Sequence, residues 1–505
     1  MGMRHGDTGI FAAEYGGKGM NFNSLAFLIY LPVVVGIYWL LPHRGRKYWL
    51  LAASYFFYMY WNPAFIILLL FSTAVDYFCS LGMDRFHKNQ AVRKLLLLTS
   101  IFMNLGQLFF FKYYDFFGDT INSLCAFWNI PHRVPHLGLM LPVGISFYTF
   151  QTMSYTIDVY RGDFPAEKDP ITFALYVTYF PQLVAGPIES PGNLLPQLTK
   201  EHSFNTEDMI AGLRILLCGF FRKCVVADFC GIFVNNVFGN MDEANSFAIF
   251  CGGALFCIQM YCDFAGYSEI AAGSARMMGV RLMRNFDRPY LSQSYTEFFR
   301  RWHISLNRWF TSYVYIPLGG SRRGKTRKMR NTVIVFALCG LWHGASWTYV
   351  LWGLYAAFWL CLESALDIRR RFEPEWNTPL GRLGRRCVTF LIFVPAALLF
   401  RADSTAQLLV IFSRLFTKIG FSFDYFRQSF AVLGIDTLSL VQLVLCITAM
   451  ARLYDWGIYD IPTAKTAHSS AQKLVSAVYI VLLIALCWLA LLATEDAAGF
   501  AYFQF

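Results

Sequence analysis

The sequence predicts an all-α, polytopic membrane protein, and two observations lead to this prediction. Of its 505 residues, 56% are hydrophobic and only 15% are charged, which excludes a set of soluble domains. Apolar stretches of about 17 to 25 residues recur along the chain, the length at which a helix crosses roughly 30 Å of hydrocarbon. These stretches are continuous and do not alternate with a period of two, so a membrane barrel built of strands is excluded.

Segments with the length and apolarity of a membrane crossing follow one another through the chain. In order they are 24–42, 48–61, 64–83, 95–111, 139–160, 209–226, 245–262, 331–345, 346–363, 387–401, 437–453 and 473–493. Segments 171–187 and 227–238 are too short or too polar to be assigned as crossings and are candidates for re-entrant or interfacial helices. We therefore expect a bundle of about 10–12 transmembrane helices with re-entrant and interfacial helices among them.

The N-terminal residues differ in composition from the rest of the chain. Residues 1–19 are polar and glycine-rich, without the apolar core of a signal peptide. We expect them to be a disordered N-terminal extension or the product of a wrongly placed start codon. Residues 20–505 are then a single membrane domain, because no internal repeat of fixed period divides them.

The net charge of +11 is carried largely by short loops between apolar runs. Cations concentrate at 43–47, 85–94, 322–330 and 369–386, which is the pattern of the positive-inside rule. The rule predicts that these loops are cytoplasmic and that both chain ends lie outside. It also explains the excess of cations, so we expect the lipid bilayer as a partner and no nucleic acid.

The thirteen cysteines are scattered through apolar segments. They form no Cys-x-x-Cys pair and no His/Cys cluster at the spacing of metal ligands. Cysteine in a membrane helix acts as a small apolar residue, so we expect no structural metal site and no disulfide framework.

His343 is an ionisable residue within the apolar run 331–367. At about 1.5 Å per helical residue it lies roughly 18 Å from the basic end of that run, deep in the bilayer. An ionisable side chain at that depth is costly and by default indicates function. The alternative is a neutral histidine that donates one hydrogen bond to a carbonyl of a facing helix.

A second histidine, His303, stands among aromatic and cationic residues in the segment 297–310. The segment predicts an amphipathic helix at the cytoplasmic face, on which His303 and Asn307 are i, i+4 neighbours. The alternative is a Trp- and Arg-rich interfacial anchor, in which His303 has no chemical role. Asp263 and Glu269 follow an apolar run, but carboxylates six apart share no helix face, so we interpret them as lining or helix-capping groups.

Short motifs in a fixed order surround the two histidines. Arg301–Phe310 (RWHISLNRWF) precedes Leu341–Gly344 (LWHG), and the motifs around this pair are Leu141–Gln151 (LPVGISFYTFQ), Phe180–Glu189 (FPQLVAGPIE), Tyr261–Ser268 (YCDFAGYS), Tyr315–Gly320 (YIPLGG) and Tyr502–Phe505 (YFQF). The set resembles the membrane-bound O-acyltransferase family, and in particular its bacterial alginate O-acetylation branch. The resemblance covers residues 20–505, and the extra C-terminal helices within 387–505 resemble the alginate type.

The resemblance implies a helical bundle around a central tunnel, in a multi-pass protein of the bacterial cytoplasmic (inner) membrane. A cytoplasmic thioester, acetyl-CoA or another acyl thioester, would supply an acyl group, in the first instance acetyl, and no cofactor would stay bound. An extracytoplasmic partner of the SGNH-hydrolase type would place the group on a polysaccharide, together with the polysaccharide biosynthesis and secretion machinery. His343 would lie at the narrow point of the tunnel and His303 nearer its cytoplasmic opening.

Acyl transfer from a thioester to a hydroxyl needs a base for the hydroxyl proton and donors for the oxyanion. We favour His343 as the base, with His303 positioning the donor, and the sequence leaves open which histidine takes the proton. The residues expected to bind substrate along the tunnel are Asn307, Trp302, Trp342 and Asp263.

Neighbours of His343 suit a close-fitting, dry site. Gly344 would let substrate approach the backbone, and Trp342 and Trp347 would exclude water that hydrolyses a thioester. The basic loop 319–330 would hold the phosphates of a coenzyme A donor or an acidic carrier protein, or else face anionic lipid headgroups.

Other functions remain open on the sequence alone. Within the family, the alternative is D-alanyl transfer to a teichoic acid-type polymer from a carrier-protein thioester. Outside it, the chain could be a polysaccharide transporter or flippase, which predicts charged residues in several spans. A scaffold of a polysaccharide secretion complex would tolerate loss of both histidines.

Overall fold

The structure, a computed structural model, describes residues 19–184, 186–367, 378–456, 480–481 and 483–487. Throughout these ranges the regular structure is helical and no strand occurs, which confirms the predicted all-α class. The predicted extension 1–19, apart from its last residue, and most of the predicted crossing 473–493 lie outside the described residues. The single domain over 20–505 stays a prediction.

The N-terminal part consists of long helices joined by short turns. They are α1 (Leu25–Leu40), α2 (His43–Met59), α3 (Phe65–Arg85), α4 (Gln90–Leu108) and α5 (Tyr114–Phe127). Ser24 caps α1 by accepting a hydrogen bond from the Phe27 N–H at 3.2 Å, as serine commonly does at this position. A π-helical turn, Phe109–Tyr113, joins α4 to α5 without a break in the helix.

The central part surrounds one long helix. Its elements are α6 (Ile145–Arg161), α7 (Pro170–Thr178), α8 (Phe180–Leu183), α9 (Pro191–Thr199), α10 (Thr206–Phe220), α11 (Asp228–Gly239) and α12 (Ser246–Met277). A second π-helical turn, Phe221–Ala227, joins α10 to α11. The predicted crossing 209–226 and the segment 227–238 are therefore one helical rod.

The C-terminal part begins with two short helices and continues with longer ones. They are α13 (Tyr295–Arg301), α14 (Ile304–Phe310), α15 (Lys325–His343), α16 (Trp347–Leu366), α17 (Pro379–Arg401), α18 (Thr405–Thr417), α19 (Phe423–Leu433) and α20 (Thr437–Trp456). A third π-helical turn, Thr311–Tyr315, follows α14. α15 and α16 form an antiparallel hairpin, in which the Lys325 ammonium donates to the Ala365 carbonyl at 2.8 Å.

α10 and α12 approach so closely that glycine is required where they cross. A Cβ atom on Gly219 would lie 2.7 Å from the Gly266 carbonyl oxygen, and one on Gly212 would lie 2.8 Å from that of Gly273. Small residues bring helix backbones together in this way inside membranes. The close contact makes α12 the element against which the central part packs.

Five helical segments of the described chain are long and apolar enough to cross a bilayer, judged by length and composition. They are Phe65–Arg85, Gln90–Phe127, Ser246–Met277, Trp347–Leu366 and Pro379–Arg401. The bent pair Phe423–Leu433 and Thr437–Met450, with 74° between its halves, would be a sixth span. Membrane-spanning helices are thus present as predicted, while the total of about 10–12 crossings stays a prediction.

The predicted helix over 297–310 is wrong in its continuity. The chain turns at His303, which has a φ of +46°, so α13 and α14 are separate helices. Their aromatic side chains are buried, with Phe298 at 1% and Trp309 at 7% exposure. Arg300 and Arg308 remain exposed, so the two helices have a polar side, and their position at the cytoplasmic face and the alternative of an interfacial anchor both stay predictions.

Candidate active site around two buried histidines

His343 is the last residue of α15, and aromatic rings enclose its imidazole. The ring centroids of Trp342, Trp352 and Phe400 lie 5.1, 5.0 and 5.3 Å away, each edge-on. His343 itself is 6% exposed. The imidazole is therefore enclosed by aromatic rings, and of the two tryptophans expected to form its surroundings only Trp342 takes part.

Two neighbours of His343 have other roles than the sequence suggested. Trp347 is 47% exposed and packs on Phe116 rather than on the imidazole. A Cβ atom on Gly344 would collide with the Tyr349 ring, so this glycine makes room for a side chain of the protein itself. The expectation that Gly344 admits substrate to the backbone therefore finds no support here.

Lys112 holds the end of α15 that carries His343. Its ammonium donates to the carbonyls of Trp342 at 2.7 Å and His343 at 3.2 Å, and to Ser146 Oγ at 3.3 Å. A cation at a helix C-terminus stabilises carbonyls that have no partner within the helix. The neighbouring Tyr113 hydroxyl donates to the Leu341 carbonyl at 3.0 Å.

Sequence reasoning missed Lys112. The predicted crossing 95–111 ends one residue before Lys112. In the structure the helix runs on to Phe127, which places Lys112 well inside a span of Gln90–Phe127. The available signal was a single lysine in an aromatic stretch, since an ionisable residue within a span indicates function by default.

His303 lies in the turn between α13 and α14 and is 2% exposed. Its Nδ1 lies 3.0 Å from Asn285 Oδ1, and the Phe264 ring packs edge-on at 4.6 Å. Asn285 belongs to the segment that follows α12 and was also missed, because nothing near it in the sequence marks it as a site residue. The contact joins segments 18 residues apart.

Trp342 brings the two histidines into one cluster. Its ring lies 5.9 Å from the His303 ring and 5.1 Å from the His343 ring. On α6, Phe147 and Phe150 pack against the same indole at 5.4 and 5.5 Å. The two imidazoles, forty residues apart in sequence, therefore share one aromatic wall.

Two other predicted substrate-binding residues have structural partners. The Asn307 amide donates to the carbonyls of Phe299 at 2.5 Å and Trp302 at 2.6 Å, and so caps the end of α13. The Trp302 ring packs between aromatic rings, with Phe286 at 5.2 Å and Phe393 at 5.5 Å. Their expected roles in binding substrate stay predictions.

Asp263 and Glu269 lie on α12 in buried ion pairs with the second π-helical turn. Asp263 Oδ1 lies 2.8 Å from Lys223 Nζ, and Glu269 pairs with Arg222. All four side chains are at most 5% exposed. Such partners make Asp263 part of the connection between α12 and the rod of α10 and α11, and its expected role as a tunnel-binding residue stays a prediction.

Glu189 supports the segment that carries Asn285. Its carboxylate accepts hydrogen bonds from the Met283 N–H at 2.5 Å and from the Asn193 amide at 2.6 Å. Burial raises the pKa of Glu189 to about 7, against the lowering effect of these hydrogen bonds. Glu189 belongs to the motif Phe180–Glu189 that the sequence singled out. It does not contact His303 directly but holds Met283, two residues before the Asn285 that contacts the imidazole.

A cationic cavity of about 430 Å³ lies apart from the histidine cluster, with which it shares no lining residue. It is formed by the α1–α2 turn and the segments 167–172 and 197–202. Lys47 there pairs with Asp169 at 2.5 Å, and Arg46 donates to the His202 carbonyl at 2.6 Å. Two of the cationic side chains of the cavity, Lys47 and Arg46, thus bond to neighbouring segments of the protein itself.

Comparison with known proteins places this site in a family. A model of the membrane-bound O-acyltransferase family (MBOAT) matches residues 164–394, which include both histidines. A probable alginate O-acetylase of Azotobacter vinelandii is 35% identical over 96% of this chain and 100% of the relative. The chain belongs to the membrane-bound O-acyltransferase family. As a member of that family it is an acyltransferase of a membrane, which confirms the predicted enzyme class.

Other relatives of this membrane-bound O-acyltransferase carry different names. A peptidoglycan O-acetyltransferase of Helicobacter pylori is 31% identical and covers 77% of this chain and 78% of the relative. A teichoic acid D-alanyltransferase of Bacillus subtilis is 28% identical and covers 49% of this chain and 63% of the relative. The two acetyl-transferring relatives therefore match far more of the chain than the D-alanyl-transferring one.

Proposed function

We propose that this protein transfers an acetyl group from a cytoplasmic thioester across the bacterial inner membrane, for O-acetylation of an extracytoplasmic polysaccharide. The observation that carries the proposal is the cluster of two buried imidazoles against one indole, Trp342. Buried neutral imidazoles suit proton transfer at a hydroxyl, and the aromatic surroundings exclude water from a thioester. The similarity to alginate and peptidoglycan O-acetylating relatives over most of the chain supports acetyl as the group.

The donor in this proposal is acetyl-CoA or another acyl thioester, and the acceptor is a hydroxyl presented with the help of an SGNH-hydrolase-type partner. The cations of the loop Gly319–Gly324 and the first turn of α15 would meet the phosphates of the donor. Arg322 and Arg323 in that loop are exposed and so remain open to an anionic group. Neutral substitutions there should weaken use of the donor and leave the histidine cluster intact.

Substitution of each histidine tests the proposal. His343→Ala and His303→Ala should each lower polymer acetylation by about 10²-fold or more, because removing a positioned base typically costs that much. The measurement is acetate released from the polymer by alkali, together with the abundance of the protein in membranes. His136→Ala is the matched control, since that side chain is 62% exposed and outside the cluster.

Two results would contradict the proposal. A His343→Ala protein of normal abundance that still supports acetylation would favour the scaffold function. Release of D-alanine rather than acetate from the polymer would favour D-alanyl transfer, the function named for the relatives that match about half of the chain.

A further inference from the structure

His303 is docked onto Asn285 through the backbone as well as through its ring. The Ile304 N–H donates to the Asn285 backbone carbonyl at 2.8 Å, directly after the left-handed turn at His303. A non-glycine residue in the left-handed region is uncommon and is kept only where its surroundings enforce it. Here the segment around Asn285 supplies that constraint, so ring and backbone of His303 are fixed together.

The orientation of the Asn285 side-chain amide follows from its partners. The Ser305 backbone N–H, which can only donate, faces Oδ1 at 3.4 Å, and Ser305 Oγ lies 2.9 Å from the same atom. At the other end of the amide, Nδ2 donates to Ser268 Oγ on α12 at 3.1 Å. The atom next to the imidazole is therefore the amide oxygen, which has no proton to give.

This orientation determines which ring nitrogen of His303 carries the proton. Because Asn285 Oδ1 can only accept, the Nδ1 atom 3.0 Å away must donate. In a neutral imidazole the other nitrogen, Nε2, is then unprotonated and offers a lone pair. Nε2 is buried and has no hydrogen-bond partner among the residues that the structure describes.

We propose that Asn285 is a positioning residue that holds His303 as the Nδ1–H tautomer, and that His303 Nε2 takes the proton of the acceptor hydroxyl. This rests on the proposed acyl transfer and reverses the preference for His343 as the base. The hydroxyl oxygen bonds to the thioester carbonyl carbon while its proton passes to Nε2. The carbon–sulfur bond then breaks, and the thiolate receives that proton from the imidazolium, which leaves an ester and a free thiol.

The tautomer can be measured without any activity. The whole protein, labelled with ¹⁵N-histidine and placed in lipid bilayers, is studied by solid-state NMR near neutral pH. The His303 signals are assigned by their loss in His303→Gln. We expect a protonated Nδ1 and an unprotonated Nε2, and Asn285→Ala should introduce the other tautomer. A wild-type His303 that carries its proton on Nε2 would overturn the proposal.

Kinetics of acetyl transfer in membranes separate positioning from packing. Asn285→Ala should lower kcat by about 10-fold or more with little change in KM. Without Asn285 the proton can occupy Nε2 of His303, which then cannot act as the base, while the binding site is unchanged. Asn285→Asp keeps an acceptor for Nδ1–H and should restore much of kcat. Asn236→Ala, the control, removes an amide that donates to the Leu433 carbonyl at 3.1 Å and has no contact with the histidine cluster, and it should leave kcat nearly unchanged.

The outcomes distinguish this inference from the function on which it rests. If wild-type membranes transfer no acetyl group, the proposed function fails, whatever the tautomer of His303. If they do transfer it and an abundant Asn285→Ala protein has wild-type kcat, the positioning role fails alone. If Asn285→Ala does not accumulate in membranes, the tautomer of His303 measured in the wild-type protein still tests the positioning role.

Discussion

At the scale of single residues, the position of His343 depends on a cation from another helix. Lys112 reaches the last two carbonyls of α15 from the π-helical turn between α4 and α5. A π-helical turn places side chains differently from a regular helix and often occurs at functional sites. Lys112 thus ties the end of α15 to the candidate span Gln90–Phe127.

Lys112→Met should both destabilise the protein and reduce acetyl transfer. Hydrogen bonds to a charged group contribute about 1.5–3 kcal/mol, and the two carbonyls would lose their donor. Lys112→Arg, which keeps a cation, should retain more of both. The check is thermal unfolding in detergent together with the acetylation assay, with the exposed Lys88→Met as control. A Lys112→Met protein with wild-type behaviour in both assays would show that this contact is dispensable.

At the scale of elements, buried charges connect α12 to the rod of α10 and α11. Arg222 and Lys223 lie in the π-helical turn of that rod, and Glu269 and Asp263 face them from α12. Charges inside the bundle are tolerated because each is paired, whereas an unpaired one would be costly. The pairing accounts for the two buried carboxylates within the candidate span Ser246–Met277.

Arg222→Met should be strongly destabilising, by about 3–5 kcal/mol, because it leaves the Glu269 carboxylate buried without its ion pair. The double variant Arg222→Met/Glu269→Leu should recover much of that loss, since both charges are gone. Unfolding free energies or, failing reversibility, thermal midpoints of the three proteins test this. Additive losses in the double variant would mean that the two side chains act independently.

At the scale of the whole molecule, cations of separate loops bond to helix ends of their neighbours. Arg93 at the start of α4 donates to the Tyr160 carbonyl near the end of α6 at 2.6 Å. Arg161 in turn donates to the Ser312 carbonyl at 3.1 Å. These contacts connect the basic segment 85–94 to the end of α6, and the end of α6 to the π-helical turn after α14. The positive-inside rule predicts that this end of the helices is cytoplasmic.

Impermeant thiol reagents should not label Ser321→Cys in intact cells, in a protein stripped of reactive native cysteines. The reason is that the basic loops are expected on the cytoplasmic side. His132→Cys, in the exposed stretch between α5 and α6, should be labelled and serves as the opposite control. The reverse pattern would invert the topology and place the acyl donor on the wrong side.

The sequence by itself determined the class of the protein and most helix positions, and it singled out the two histidines as candidate site residues. The backbone of a long apolar run can satisfy its hydrogen bonds inside a bilayer only as a helix, so the all-α class follows from the sequence. For example, the prediction 346–363 corresponds to α16 at Trp347–Leu366. His343 and His303 stood out because imidazoles are rare among apolar neighbours, a local property that needs no structure.

Only the tertiary structure decided which residues meet those histidines. Contacts such as Asn285 with His303, or Lys112 with the end of α15, join segments whose spacing in sequence has no periodic signal. The break at His303 was also hidden, because its left-handed φ is enforced by a partner outside the segment. Likewise, helix periodicity does not show which rings cover the aromatic side chains of α13 and α14. The local sequence pattern indicates which residues prefer to be buried. Which neighbours bury them is determined only by the packing of the whole fold.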